Sequence, residues 1–362
     1  MQILQLIPTI AYGDAVGNDA VALKKILKKM GFATNIYAES VVAPLDSKTA
    51  YKIDKMPKVD KDDIIIYHLS TGSELNFKFA KFKCRKIAIY HNVTPPEFFE
   101  LNDEFIKGIN EWGLEGVKFL SDKVDYCLAD SELNKQDLID LNYKCDIDVL
   151  PIVVPFKDYK KTPNRAVVKK YDDGYTNIIF TGRIAPNKKQ EDVIAAFYYY
   201  KKYWNNKARL ILVGSYKETD LYYMRLKKYV EEIGIEDVVF TGHIKFDEIL
   251  AYYKVADVFL CMSEHEGFCV PLVEAMMFKV PIIAYDSTAI PSTLGGSGFL
   301  INDKSPVFVA KCIDKVISDK KLQDDLIIKQ NRRLEDFKYE HIAEQFKNYI
   351  NAFIEREKNS WN

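Results

Sequence analysis

The sequence predicts an α/β protein made of two Rossmann-like, doubly wound parallel-sheet domains. Three observations carry that reading. Strand-like apolar runs alternate with helix-like amphipathic runs through both halves of the chain, which implies parallel sheets covered on both faces. A polar stretch at residues 157–175, rich in Lys and Asp and holding Pro163 and Gly174, interrupts the alternation and reads as a linker. The residues suited to chemistry fall just after strand-like runs, where ligands bind in such sheets. At 362 residues the chain has the length for two ordinary domains.

In the first half, residues 2–8 read as a strand. Residues 20–30 read as a helix, with Val21, Leu23, Ile26, Leu27 and Met30 apolar and lysines opposite them. Strands follow at 63–67, 86–90, 124–129 and 146–154, with a capped helix start at Ser131. After the break come strand 177–181, helix 190–203, strand 209–213, helix 220–233, strand 238–241 and helix 246–254. Next are strand 258–262, helix 271–278 and strand 281–285. The segment from Ala289 to Leu300 reads as loop. Helices then fill 306–318, 321–337 and 341–357, and no solenoid repeat occurs.

Composition narrows the function. The chain is 48% hydrophobic and 28% charged, with 51 basic and 52 acidic residues and a net charge of −1, so no global attraction to nucleic acid is expected. Six scattered cysteines form no CxxC pair or Cys/His cluster. They point to reduced thiols in a cytoplasmic protein and away from a zinc site. Residues 1–8 are apolar but lack a basic leader, so a buried strand is expected there rather than a signal peptide. No apolar run nears the roughly 20 residues that span a bilayer.

The most informative segment runs from Ser263 to Met276. It leaves a strand, crosses Glu266-Gly267-Phe268-Cys269 and enters a helix with Pro271 at its start, where a missing N–H costs nothing. Free N–H groups and the helix dipole favour an anion there. Glu266 and Glu274, eight residues apart, suit a ligand that carries hydroxyls beside its phosphate. That combination describes a sugar nucleotide. A second loop, Thr181-Gly182-Arg183-Ile184-Ala185-Pro186-Asn187-Lys188-Lys189, offers a planar guanidinium and a compact ammonium five residues apart, suited to a diphosphate, with Lys189 turned to solvent. His91, before Pro95-Pro96, stands at a strand mouth as a hydrogen-bond donor, with His68 a weaker parallel. His243 follows another strand, where its backbone meets a nucleobase edge. Gly13 and Gly17 flank a strand–helix loop that is not G-x-G-x-x-G, while Gly295-Gly296-Ser297-Gly298 opens no helix.

Assembled, these residues resemble glycosyltransferase family 4, the retaining glycosyl transferases of group 1 with the GT-B fold. The resemblance is carried by Gly182-Arg183 with Lys188, Leu212-Val213-Gly214, Phe240-Thr241-Gly242 and Ala256-Asp257. Glu264-His265-Glu266-Gly267-Phe268 with Pro271 and Glu274-Ala275-Met276, and Ile290-Pro291 with Gly298, complete it. It implies two domains facing a central cleft. Residues 1–157 would be the acceptor domain, 158–340 the donor domain, and 341–362 a helix returning to the first domain.

It also implies roles. Arg183 and Lys188 hold the donor diphosphate, and Glu266 reads donor-sugar hydroxyls with the backbone of Gly267 and Phe268. Glu274 binds ribose, and His91 hydrogen-bonds the sugar. Gly13, Gly17, Gly182, Gly214, His243, Ile244, Cys269 and Val270 line the donor. Cys269 departs from the small residue common in relatives. The expected donor is a UDP- or GDP-sugar, with no cofactor and no metal. No Asp-x-Asp lies near these loops, and a cation about 4 Å from the leaving diphosphate is worth about 4 kcal/mol at an effective dielectric of about 20. The acceptor would be a hydroxyl of a glycan or lipid-linked molecule, in surface polysaccharide synthesis. The lysines of the first helix and of residues 78–86 suggest a peripheral inner-membrane contact. Rival readings are an inactive sugar-nucleotide-binding partner subunit and an epimerase or phosphorylase on the same fold. A glycoside hydrolase using Glu266 and Glu274 fits less well, since it needs no diphosphate site.

Overall fold

The computed structural model describes residues 1–359 except Tyr12, Pro44, Asp46 and Ser47, with side chains described through residue 356. Two compact units emerge. One comprises Met1–Pro96, Phe105–Pro155 and Asp336–Asn362, and the other comprises Glu97–Glu104 and Phe156–Glu335.

The first unit holds β1 (Ile3–Ile10), α1 (Ala15–Lys29), β2 (Ile36–Val41), β3 (Tyr51–Lys52), β4 (Ile64–Leu69) and the single-turn α2 (Leu75–Lys78). It continues with β5 (Arg85–Tyr90), α3 (Glu104–Phe119), β6 (Tyr126–Ala129), α4 (Glu132–Asp140) and β7 (Asp146–Val149). Its seven strands run parallel in the order β3-β2-β1-β4-β5-β6-β7. The central β4 is buried along its whole length, as expected of a strand covered on both faces. Asp14 caps α1 by accepting the Gly17 N–H at 3.0 Å, and Ser131 caps α4 through the Asn134 N–H at 3.2 Å.

The second unit holds α5 (Arg165–Tyr171), β8 (Thr176–Thr181), α6 (Gln190–Tyr203), β9 (Ala208–Val213), α7 (Leu221–Glu232), β10 (Val238–Phe240) and α8 (Phe246–Lys254). Then come β11 (Val258–Cys261), α9 (Val270–Met277), β12 (Ile282–Tyr285), α10 (Ile290–Leu294), β13 (Phe299–Ile301), α11 (Pro306–Ser318) and α12 (Lys320–Arg333). Its six parallel strands follow the order β10-β9-β8-β11-β12-β13. The last helix, α13 (Tyr339–Asn359), belongs to the first unit. Its stripe of Ile342, Phe346, Ile350 and Phe353 is buried in one cluster with Ile3, Leu23, Ile64 and Tyr126. The α/β class expected from the sequence, with two doubly wound parallel-sheet units, is the class observed.

Several local expectations change. Residues 157–175 are not a bare linker. Asn164 caps α5 through the Ala166 and Val167 N–H groups, and Tyr171 is buried against Tyr252. β2, β3, α2 and α3 add to the elements expected from the sequence, and α10 forms inside the segment expected as loop. α1 begins at Ala15, so Gly17 sits in its first turn rather than in a loop.

Candidate functional site

The second unit gathers most of the chemistry-bearing residues at the carboxyl ends of its strands. β8 ends at Thr181, and Gly182 follows with φ +151°, a conformation closed to most side chains. The tip of β9 lies directly alongside. A Cβ on Gly214 would stand 1.9 Å from the Gly182 carbonyl oxygen. The two loops are tied by backbone bonds from Gly182 N–H to Val213 O (2.9 Å) and from Ile184 N–H to Ser215 O (3.1 Å). Gly214→Ala must therefore push the Gly182–Arg183 backbone aside, at a cost of about 1–3 kcal/mol. A lower denaturant midpoint together with weaker donor binding is expected. Unchanged stability and binding would show that this close approach is dispensable.

The Gly182 loop continues through a 3-10 turn at Pro186–Lys188 and is stitched to the loop after β11. Asn187 accepts the Glu264 N–H with its backbone oxygen (2.9 Å) and donates its side-chain amide to the His265 carbonyl (3.0 Å). This brings Lys188 Nζ to 2.6 Å from Glu266 Oε2, with the two side chains only 21% and 8% exposed. Burial works against the Lys188 ammonium, but Glu266 outweighs it and holds the pKa above its ordinary value. Glu266 is itself anchored, because its N–H donates to Thr288 Oγ1 at 3.0 Å. Burial pushes the neighbouring His265 down to about 4, so it is neutral at pH 7.

Arg183 contrasts with Lys188. It is exposed, and among the described residues no carboxylate lies within ion-pair distance of it. Although the residue reaches solvent, surrounding protein crowds its guanidinium and lowers its pKa, against the opposing charges of Asp220 and Asp103. Lys189, expected to face solvent, instead pairs with Glu264 at 3.2 Å. Lys304 joins that network, 2.8 Å from both Glu264 and Asp192.

Gly267 and the buried Phe268 lead to Cys269, the residue capping α9, and Thr293 Oγ1 donates to the Phe268 carbonyl at 2.5 Å. Cys269 has φ +70°, which is the physical reason a small residue or Gly is favoured there and the strain this chain accepts. Val270 and Pro271 open the helix. Hydrogen bonding to Cys261 and burial hold the Cys269 thiol well above its ordinary pKa, so it stays protonated. Glu274, on the same helix, is already engaged. The Tyr159 hydroxyl donates to Oε1 and the Tyr253 hydroxyl to Oε2 at 2.7 Å. Burial raises its pKa while the two tyrosine donors oppose the rise. A ribose hydroxyl reaching Glu274 must share or displace one of them. Tyr159 was not anticipated, and its place in a stretch expected to be linker concealed it.

His243 is exposed in the loop after β10, and Ile244 is half-buried against the core. That loop joins the β9 tip through the Gly214 N–H donating to Thr241 Oγ1 at 3.3 Å.

The first-unit candidates are placed differently. Gly13 has φ +79° with open space around it, whereas Gly17 N–H is spent on the Asp14 cap. His91 has no ring nitrogen left for a sugar. Nδ1 lies 2.8 Å from Asp130 Oδ2 and Nε2 lies 2.8 Å from His68 Nδ1. The sugar contact expected of His91 thus fails on hydrogen-bond capacity in this arrangement. Among the described residues, two trios of metal-competent side chains cluster within 4.8 Å: Asp19, His68, His91 and Cys261, Glu266, Cys269. The histidine trio is joined by its own hydrogen bonds and Glu266 is ion-paired to Lys188, so neither is assigned a metal.

A doubly wound unit with a basic loop at one strand end, laced to a carboxylate-bearing loop and helix at the next, is the architecture of a GT-B glycosyltransferase. Residues 161–333 match the family model for glycosyl transferases group 1. An uncharacterised glycosyltransferase of Methanocaldococcus jannaschii is 26% identical over 274 residues, covering 74% of this chain and 68% of that protein. A GDP-mannose-dependent phosphatidylinositol monomannoside mannosyltransferase of Mycobacterium tuberculosis is 28% identical over 154 residues, covering 40% of this chain and 38% of that enzyme. The solved structure of Anabaena HepE in complex with UDP and glucose superposes with a TM-score of 0.76 at 17% identity, covering 97% of this chain and 99% of that one. By these matches residues 161–333 are similar to the glycosyl transferases of group 1, and the protein is a glycosyltransferase.

Proposed function

We propose that the protein transfers a hexose, with retention and without a metal ion, from a UDP- or GDP-sugar to a hydroxyl of a glycan or lipid-linked acceptor. The observation that carries this is the contrast between the two cations. Arg183 is exposed and, among the described residues, unmatched by any carboxylate within ion-pair distance, while Lys188 is aimed and held by Glu266. A diphosphate brings the missing negative charge to Arg183 and takes the remaining ammonium hydrogens of Lys188. Charge that develops on the departing nucleoside diphosphate meets preorganised cations, which is the larger part of the catalytic task. Glu266, neutralised by Lys188, is a hydroxyl acceptor rather than a general base.

Gly267, Phe268, Cys269 and Val270 line the sugar and phosphate side. Gly182 and Gly214 let the backbone approach the donor. His243 and Ile244 face the base, and Glu274 takes the ribose. Retention follows from attack by the acceptor on the face the diphosphate leaves. The relatives support both donor nucleotides, since one is GDP-mannose-dependent and another was solved with UDP. Among the described residues no helix is long and apolar enough to cross a membrane. A peripheral membrane contact rests on exposed Lys25, Lys28 and Lys29, because Lys24 turns inward to the carbonyls of Lys48 and Thr49.

A thermal-shift series with UDP-, GDP- and ADP-sugars tests the donor. A true donor at about 100 times its Kd adds about 2.7 kcal/mol of stability, so one nucleotide is expected to raise the melting temperature and the others not. No response to any of them removes the proposal. Product NMR then reads the anomeric configuration, and an inverted product overturns retention.

A further inference from the structure

A buried row of side chains crosses the sheet of the first unit. Gln5 lies on β1, His68 on β4, His91 just after β5 and Asp130 just after β6. Gln5 and His68 are 0% exposed, and the side chains of His91 and Asp130 are 1% exposed. Hydrogen-bond direction can be followed from one end. Gln5 Nε2 donates to the Ala20 carbonyl at 3.1 Å, which fixes the amide, so Oε1 is the atom 2.9 Å from His68 Nε2. His68 Nε2 therefore carries a hydrogen. Burial, reinforced by His91, holds the His68 pKa well below its ordinary value and keeps the ring neutral, so Nδ1 is bare. Nδ1 faces His91 Nε2 at 2.8 Å, and the rings lie within 7° of coplanar with centroids 5.1 Å apart, an edge-to-edge contact. His91 Nε2 must then donate. One further proton lies between His91 Nδ1 and Asp130 Oδ2, 2.8 Å apart, and imidazole is the stronger base of the two by about two to three pK units.

We infer that Gln5, His68 and Asp130 act as positioning residues that hold His91 as an imidazolium against an Asp130 carboxylate.

Neutral His91 can also arise by passing the shared proton to Asp130: burial raises the Asp130 pKa, but the His91 charge and hydrogen bond oppose that rise, and the imidazole remains the stronger base. The two remaining routes to a neutral His91 each set two acceptors face to face. If Nδ1 keeps the hydrogen, the bare Nε2 meets the bare Nδ1 of His68. Relief requires His68 to move its hydrogen to Nδ1, which leaves Nε2 against Gln5 Oε1, and the amide cannot turn without aiming its oxygen at Ala20 O. If Nε2 keeps the hydrogen, Nδ1 faces the Asp130 carboxylate, whose Oδ1 already finds no donor among the described residues. Unmade hydrogen bonds are expensive in so dry an interior. The surrounding charges point the same way. Burial alone favours a neutral ring, but Asp130, Asp19 on α1 and Asp14 at its cap outweigh it and raise the His91 pKa. Asp19, which accepts the Val153 N–H at 2.9 Å, is itself pushed up to about 7 by burial. His91 thus contributes a fixed positive charge rather than a free N–H.

The test uses the full chain labelled with ¹⁵N-histidine and long-range ¹H–¹⁵N spectra across a pH series. At pH 7 His91 is expected to show two protonated nitrogens, and His68 a protonated Nε2 with a bare Nδ1. Gln5→Met removes the acceptor that fixes His68. It should lower the His91 titration midpoint by about one pH unit, a tenfold loss of proton affinity, in a protein whose amide spectrum stays folded. A bare nitrogen on His91 at pH 7 in the native protein overturns the inference, as does an unmoved midpoint in folded Gln5→Met. Should that variant not fold, the native spectrum decides alone.

Discussion

Lys188→Ala is expected to lose nearly all transfer and to weaken the second unit as well. The two effects have separate causes. Transfer falls by roughly 10²–10³ in kcat, the usual result of removing one preorganised electrostatic contact to developing charge. Stability falls because Glu266, 8% exposed, is left charged and unpaired. Breaking a buried pair from one side typically costs about 3–5 kcal/mol. The double variant Lys188→Met with Glu266→Leu separates them, because replacing both partners by apolar groups is often neutral. Its urea midpoint should return toward that of the native protein while transfer stays lost. A double variant as inactive and as unstable as Lys188→Ala would mean that the ion pair does not account for the stability loss. Near-normal transfer by Lys188→Ala would remove the lysine from the mechanism.

Arg183→Ala should behave as the opposite case. The side chain is exposed and lies within ion-pair distance of no carboxylate among the described residues, so the urea midpoint should hold within about 0.5 kcal/mol. Affinity for the nucleoside diphosphate should fall, because a charge-assisted hydrogen bond is worth about 1.5–3 kcal/mol, or about 10- to 150-fold. Titration calorimetry with UDP and GDP reads this without knowledge of the acceptor. Arg183→Lys should recover only part of the loss, since an ammonium lacks the planar fork. Unchanged diphosphate affinity in Arg183→Ala would place the anion elsewhere.

Much of the donor-side reading was legible because its signals are local. Buried parallel strands read as continuous apolar runs. Helices α6, α8 and α11 start and stop where their period and caps indicate. Pro271 marked the start of α9. Other elements were hidden by composition. α3 contains Gly108, Gly113 and Gly116, which lower helix propensity by about 1 kcal/mol each. Two of them are explained only by packing. A Cβ on Gly116 would strike Asn76, and one on Gly113 would come within 2.9 Å of the Gly72 backbone. α5 was masked by its lysines, although Val167 and Tyr171, four apart, anchor it.

The sequence by itself determined the class: two parallel-sheet units, the loops that end β8 and β11, and the residue types that meet there. These follow from periodicity, capping and turn chemistry, which act over a few residues. Only the tertiary structure decided what those residues are free to do. Lys188 and Glu266 neutralise one another across 78 positions, Tyr159 reaches Glu274 across 115, and His68 and Asp130 consume both nitrogens of His91. A side chain's available valence depends on which distant partner the fold sets within about 3 Å of it. No local pattern records that distance, so the candidate role of His91 changed, and Lys188 and Glu274 gained partners, while the fold class did not change.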